Sequence, residues 1–549
     1  MTETASQSLR RLADDEPYRH DIFIALVAPI GSSRPEVLTA LNDSLTRYGY
    51  STDHIHLASL LGKVPNLAVG GLPERTEPDY YQRRMDAGNR LRNQAGDWSA
   101  LAGVGVMRIA AARAARRPSS DDAPPPTPVA YIIDSLKNPR EAELLRSVYG
   151  SALWIVAVVQ DISERKSNLT EELARSENRF EGVPEAKAVE LITRDQEEDE
   201  KHGQHVRDVF AVADYFLPVR RGVDWRQGVD RLLEGIFGAP FLSPSTDEEA
   251  MRHARAAALR SAAVGRQVGA VIVPPAGAPH VMGTNEVPKP GGGQFREGDE
   301  PDFRDFQMGV DPNPAYTERV LREVFDRLAK AEFFTEERNK AGGDAVLMEA
   351  ASARPDGASV LDGTRAKALI EFTRCLHAEQ AAIVEAARTG TSIDGAKLFT
   401  TTFPCHECTK FIIGAGIVEV QYIEPYPKSL AGDMYRDLID TVPPMEARSG
   451  TDIERVPFRP FLGFGPSRYD EVFVSSGRKG TGGLKAHDPA SASPVGHGWA
   501  ETAVVEREDE VSVAIATIVD SLDVADATAT PVASSPEVTQ ASEPEGLSG

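Results

Sequence analysis

The chain has 549 residues, 41% hydrophobic and 26% charged, the balance of an ordinary globular protein with room for two or three separately cored domains. Its formal charge of −23, from 83 Asp and Glu against 60 Lys and Arg, argues against a chain built to grip nucleic acid non-specifically. The sequence has no apolar run long enough for a membrane span and no signal-peptide core near its start. With only 3 Cys, this points to a reducing, cytoplasmic location and no membrane partner.

Residues 1–19 are expected to be disordered. From His20 the sequence DIFIALVAP reads as a strand entering a glycine turn, and GSSRPEVLTALNDSLTRYGY reads as the helix that follows. Strand, glycine turn and helix N-terminus in that order make a phosphate-binding geometry. The candidate nucleotide-binding residues are therefore Pro29, Ile30, Gly31, Ser32, Ser33 and Arg34. A Walker A loop needs a Lys that this segment lacks. Cradling by backbone amides survives that loss, but phosphoryl transfer lacks its cation. Arg108, Arg113, Arg116 and Arg117 read as the solvated face of a helix. SSDDAPPPTP, residues 119–128, reads as a surface loop. PVAYIIDSL (128–136) and ALWIVAVVQ (152–160) are near-continuous apolar runs flanking the helix REAELLRSVYG. Such runs predict buried strands of a parallel sheet covered on both faces, an α/β domain over residues 20–240.

A capped helix start at Thr246 or Asp247 opens a second domain, expected over residues 246–475. It begins helix then strand through RSAAVGRQVGAVIV and continues into VMGTNEVPKPGGGQ. Residues 301–373 are charged and mostly helical in pattern, and read as an insertion that could serve as a lid. Next come His377-Ala378-Glu379 and, downstream, Pro404-Cys405-His406-Glu407-Cys408. Residues 378–387 are strong helix formers, 397–403 are β-branched and aromatic, and Pro404 suits the first turn of another helix. This is the H-x-E…P-C-x-x-C pattern of zinc nucleobase deaminases. His377, Cys405 and Cys408 are the expected zinc ligands, leaving a fourth position for water whose pKa the metal lowers to about 7. Glu379 is the expected proton carrier between water, ring nitrogen and departing ammonia. Cys375 reads as a small buried residue rather than a fourth ligand, and His406 and Glu407 as supporting or solvent-side groups. Residues 476–549 read as an acidic, largely disordered tail, within which VSVAIATIVDSL fits either a strand or a helix.

Residues 20–475 resemble the bacterial anti-phage dCTP deaminases of the zinc cytidine/deoxycytidylate deaminase superfamily. The resemblance is carried by LVAPIGSS, DSLKNPREAELLRSVYG, GQHVRDVFAVADYFL, RSAAVGRQVGAVIV, GTNEVPKPGGG, LHAEQAAI, TTFPCHECTKFIIGAGI and YIEPYPKSLA. It implies an N-terminal P-loop nucleotide-kinase-like parallel-sheet domain followed by a cytidine-deaminase-like α/β/α domain. It also implies deamination of dCTP or dCMP to the deoxyuridine nucleotide, and depletion of dCTP during phage infection. The N-terminal domain would then answer to a nucleotide or a small RNA, and the chain would form a homo-oligomer. Asn285 falls where related deaminases place a nucleotide-contacting Asn, with a turn residue as the other reading. By charge and position, Arg266 and Lys428 are candidate phosphate contacts, or else solvated surface. Three other readings stand beside the first: a housekeeping dCMP deaminase, a nucleic-acid cytidine deaminase, and a nucleotide-sensing protein with structural zinc. Glu379 argues against the last, because a structural site has no use for the carboxylate.

Overall fold

The computed structural model describes residues 20–64, 67, 71–75, 77, 79–117, 126–176, 185–196, 204–277, 280–354, 359–426, 429–441, 455–474, 477–480, 482–495 and 501–525. Residues 1–19, Lys428, most of the 119–128 stretch and the end of the tail beyond 525 lie outside them. The chain is a mixed α/β protein with two six-stranded sheets.

The first sheet uses β1 (Ile22–Val27), β2 (Ser51–His56), β3 (Val129–Asp134), β4 (Leu153–Val159) and β5 (Tyr215–Pro218). Every residue of β1, β3 and β4 is buried, as their unbroken apolar sequences require. With β12 (Gly463–Phe464) at one edge, the order across the sheet is β12-β5-β4-β1-β3-β2, and β1 to β5 are parallel. The longer helices before β5 are α1 (Arg34–Arg47), α2 (Tyr80–Ala95), α3 (Ala100–Ala114), α4 (Pro139–Tyr149), α5 (Ile162–Ser176) and α6 (Glu185–Gln196). The helix α7 (Arg226–Ile236) follows it.

The second half opens on α8 (Thr246–Ala258), whose N-cap Ser245 and Glu248 form a capping box. Its sheet takes β6 (Gly269–Val273), β7 (Val281–Thr284), β8 (Lys397–Thr402), β9 (Glu419–Glu424), β10 (Ile439–Asp440) and β11 (Val456–Pro460), in the order β10-β11-β9-β8-β6-β7. β6 runs antiparallel to both neighbours, while β8, β9, β11 and β10 are mutually parallel. The 301–373 stretch is helical, chiefly α9 (Pro312–Lys330) packed on α10 (Gly343–Ala351). It is tied down beside the His-Ala-Glu segment: Asn313 Nδ2 donates to the Leu369 carbonyl at 2.7 Å, and Arg374 pairs with Asp305 at 2.9 Å. Two helices of this half carry the motif residues, α11 (Ala378–Thr389) and α12 (His406–Gly414).

Three features depart from expectation. The short strand β12 (Gly463–Phe464) leaves the second sheet and pairs antiparallel with β5 of the first, and Met251, Val271, Phe399 and Phe461 share one apolar cluster with Phe23 and Tyr131. The two halves are thus joined by a common core. Within the acidic tail, residues 501–525 form one helix, α13 (Glu501–Ala525), which packs on α3. Val504 and Ile515 are buried there, and Gly103 lets Ile515 approach the α3 backbone. Finally, the Arg108–Arg117 run is only in part a solvated face, with Arg117 exposed and Arg113 and Arg116 turned inward. Arg113 is buried between Asp21 (3.2 Å) and Glu508 (3.3 Å), and Arg116 reaches Asp21 and the Tyr131 hydroxyl. The apolar stripe of α13 covers that helix, so its cations need buried acids as partners.

Candidate functional site

His377 precedes the first turn of α11 in extended backbone, φ −69° and ψ 156°, and its N–H is capped by Gln380 Oε1 at 3.2 Å. Cys405 is the N-cap of α12 and accepts a hydrogen bond from the Cys408 N–H at 3.4 Å. Two helix N-termini therefore face each other, and their orphan N–H groups favour thiolate at this spot. What brings them together is backbone contact: a Cβ on Gly283 of β7 would collide with the Ala378 carbonyl and the Ala382 nitrogen. Only glycine lets α11 lie this close to the sheet.

His377 Nδ1 lies 3.2 Å from Cys405 Sγ and 3.3 Å from Cys408 Sγ, and the two sulfurs are 3.6 Å apart. Among the described residues this is the one group of three or more His, Cys, Asp or Glu whose donor atoms converge within 4.8 Å. An imidazole nitrogen and two thiols that are not joined as a disulfide form a borderline-to-soft donor set, which suits zinc with one position left for a non-protein ligand. The hydrogen bond from Cys408 pushes Cys405 down to about 4, while burial pushes Cys408 up. Burial works to lower His377, but its contact with Cys405 outweighs that and leaves it raised.

Glu379 completes the group. Its side chain is buried, and its Oε2 accepts from Cys408 Sγ at 3.3 Å. Burial, then the charge on Cys405, raises its carboxyl to about 7. A carboxyl poised near neutrality can both give and take a proton.

Residues 244–424 match the cytidine and deoxycytidylate deaminase zinc-binding region. The match spans α8 through β9 and includes His377, Glu379, Cys405 and Cys408, and zinc is the metal of that region. Over 57 residues the chain is 46% identical to the deoxycytidylate deaminase of Enterobacteria phage T2, a stretch that is 10% of this chain and 30% of the phage protein. It is 45% identical over 53 residues to the ComE operon protein 2 of Bacillus subtilis (strain 168), covering 10% of this chain and 28% of that one. The chain thus spans less than a third of the length of these curated relatives. A solved dCMP deaminase from the cyanophage S-TIM5, in complex with dCMP and dUMP, aligns with 40% of this chain and 98% of its own at 19% identity and a TM-score of 0.21.

The other residues singled out in the deaminase region have partners within the protein. Both ends of the Asn285 amide hold the preceding loop, Nδ2 donating to the Arg266 carbonyl and Oδ1 accepting from the Val268 N–H, each at 2.7 Å. The Arg266 guanidinium pairs with Glu424. Cys375 is buried with Val287 and Phe295, its thiol on Asp305 at 3.7 Å, and stands outside the ligand cluster. His406 is nearly buried, and Glu407 pairs with Lys410 at 2.6 Å on the surface side.

The glycine turn after β1 is held by the protein's own groups. The Ile30 N–H donates to Asp195 Oδ2 at 2.7 Å and the Ser33 N–H to Gln160 Oε1 at 2.8 Å. The Ser32 hydroxyl bonds back to the Pro29 carbonyl at 2.6 Å, and Arg34 turns to Asp134 at 3.4 Å. Gly31 has φ +80°, and a Cβ there would meet the Arg165 carbonyl of α5, so packing alone accounts for the glycine. The missed signal is Lys137, in the connection after β3, whose Nζ lies 2.6 Å from Asp195 Oδ1 and 3.3 Å from the Ala28 carbonyl.

Proposed function

We propose that the protein is a zinc-dependent hydrolase that converts a deoxycytidine nucleotide to its deoxyuridine counterpart and ammonia. The observation that supports it most is the buried Glu379 carboxyl, 3.3 Å from Cys408 Sγ, beside the converging His377, Cys405 and Cys408 donors. His377, Cys405 and Cys408 would hold the zinc, which would supply the Lewis acidity that activates water towards the pyrimidine C4. Glu379 would take one proton of the attacking water and deliver it to ring N3. It would then carry the second, released from the new C4 hydroxyl as the carbonyl forms, to the amino group that leaves as ammonia. The helix N-termini under His377 and Cys405 fix the two halves of the site in one geometry, so the carboxyl moves protons without rearranging the chain.

Within that class the reading is dCTP, with dCMP as the alternative substrate, and the N-terminal half as a regulatory domain. The NEVPKPGGG and EPYPKS segments and the order of the two domains support it. So does the acidic surface, which is unsuited to a polynucleotide substrate. Depletion of dCTP as a defence against phage is the role this substrate would serve. Exposed Met282, Val384 and Phe411 on the second half are consistent with a homo-oligomer. The test is ammonia release from dCTP, dCMP and single-stranded DNA side by side, with bound zinc quantified in the same preparation. Turnover of a free deoxycytidine nucleotide with about one zinc per chain is expected. Turnover of the single-stranded DNA alone would overturn the substrate class.

A further inference from the structure

A cleft of about 520 Å³ lies between the two sheets, within the size range of small-ligand pockets. One wall is formed by the C-terminal ends of β8 and β9, with Thr401 and Glu424, and by Gln267 in the loop before β6. The other wall belongs to the first sheet, with Asp214 ahead of β5 and Ser467 and Arg468 after β12. The C-terminal ends of parallel strands are where α/β sheets take their ligands. This end of the second sheet also carries the zinc site. Thr401 stands four residues before Cys405, so at most about 14 Å of chain separates them. Glu424 accepts from the Thr402 hydroxyl at 3.3 Å and pairs with Arg266. Tyr426, two residues further on, packs on the apolar cluster that contains Cys405 and Cys408.

Most charges on the cleft wall neutralise one another. Asp214 is buried and pairs with Arg146 at 2.7 Å and Arg468 at 3.4 Å, and Arg468 also pairs with Glu471. Arg255 differs: it is exposed on α8, lines the cleft and has no ion pair among the described residues. Its place is fixed by backbone packing. A Cβ on Gly269 would meet the Ala254 carbonyl and the Ala258 nitrogen, and the Gly269 N–H donates to the Thr401 hydroxyl at 3.1 Å. An extended deoxycytidine triphosphate, from ring C4 to its last phosphate, covers a length comparable to the separation of Thr401 and Cys405. We propose that the cleft is the distal part of the substrate site. It receives the outer phosphates of a deoxycytidine triphosphate whose ring lies at Glu379, and Arg255 is the contact that distinguishes triphosphate from monophosphate. A guanidinium binds phosphate oxygens in pairs, which suits it to that task. The first sheet then takes part in substrate recognition by closing the far wall of the cleft. This inference rests on reading the chain as a deoxycytidine nucleotide deaminase and deepens it, by assigning the choice between its two candidate substrates.

The test is steady-state ammonia release from dCTP and from dCMP by the full-length, zinc-loaded protein and its Arg255→Ala, Arg255→Lys and Ser467→Trp variants. Arg255→Ala should raise the dCTP KM about tenfold or more, change kcat less than about twofold, and leave both constants for dCMP as in wild type. Arg255→Lys keeps the charge and should restore part of the dCTP affinity. Ser467→Trp fills the cleft from the first-sheet wall and should depress dCTP turnover selectively. Equal effects of Arg255→Ala on the two substrates, or no effect on either, would overturn the assignment. So would a wild type that turns over dCMP and not dCTP. Calorimetric titration of zinc-loaded Glu379→Gln protein reads the same discrimination without turnover. There dCTP should bind more tightly than dCMP, and adding Arg255→Ala should remove the advantage; an unchanged advantage contradicts the assignment. Failure of the deaminase reading shows separately, as no ammonia from either nucleotide with wild type.

Discussion

His377, Glu379, Cys405 and Cys408 were legible in the sequence because metal chemistry demands fixed residue types at fixed local spacings. In the structure their donor atoms converge within hydrogen-bond distance. Lys137 and Asp195 were not legible, because 58 residues separate them and neither belongs to a local pattern. The same holds for Glu508 on α13, which faces Arg113 across the α3 interface. Burial raises the Glu508 carboxyl from 4.5 to about 7, with Arg113 opposing. A carboxyl raised on folding favours the native state while protonated. Its contribution is full below pH 4.5 and is lost as pH rises through 7. With partial solvent screening the loss is on the order of 1 kcal/mol. Chemical denaturation across that window should show the slope in wild type and a flatter profile in Glu508→Gln. An unchanged slope in the variant would remove Glu508 as its source.

At the scale of elements, two helix placements depend on glycine, and neither glycine announces itself in the sequence. Gly283 sits in VMGTNE, which reads as a plain strand end, yet the α11 backbone lies directly on it. Gly283→Ala should push α11 outward and cost about 1–3 kcal/mol. Bound zinc and deaminase rate should fall together, because His377 and Glu379 travel with that helix. A fully metallated, fully active Gly283→Ala protein would show that the close approach is dispensable. Gly103 plays the same part for α13, admitting Ile515 against α3. The undecided VSVAIATIVDSL segment resolves as helix because Val511, Ile515, Ile518 and Val519 recur at helical spacing against that surface. Ile515→Ala should destabilise the protein by about 2–4 kcal/mol, read from the denaturation midpoint. A change within measurement error would mean that α13 is not part of the folded unit.

Across the whole molecule, the buried strands of the first sheet and the motif helices of the second half appeared where their sequences place them. The union of the two halves did not. β12 is two residues long, carries no strand signal of its own, and owes its place to β5 and to the Phe464 ring stacked edge-on against Tyr215. The account stands most directly on one carboxyl. The decisive measurement is the rate of ammonia release from dCTP and dCMP by wild type and by Glu379→Gln, both verified to hold equal zinc. Wild type should turn over, and the variant should lose about 10²–10⁴-fold or more while keeping its metal. A zinc-loaded variant that works at the wild-type rate would contradict the mechanism.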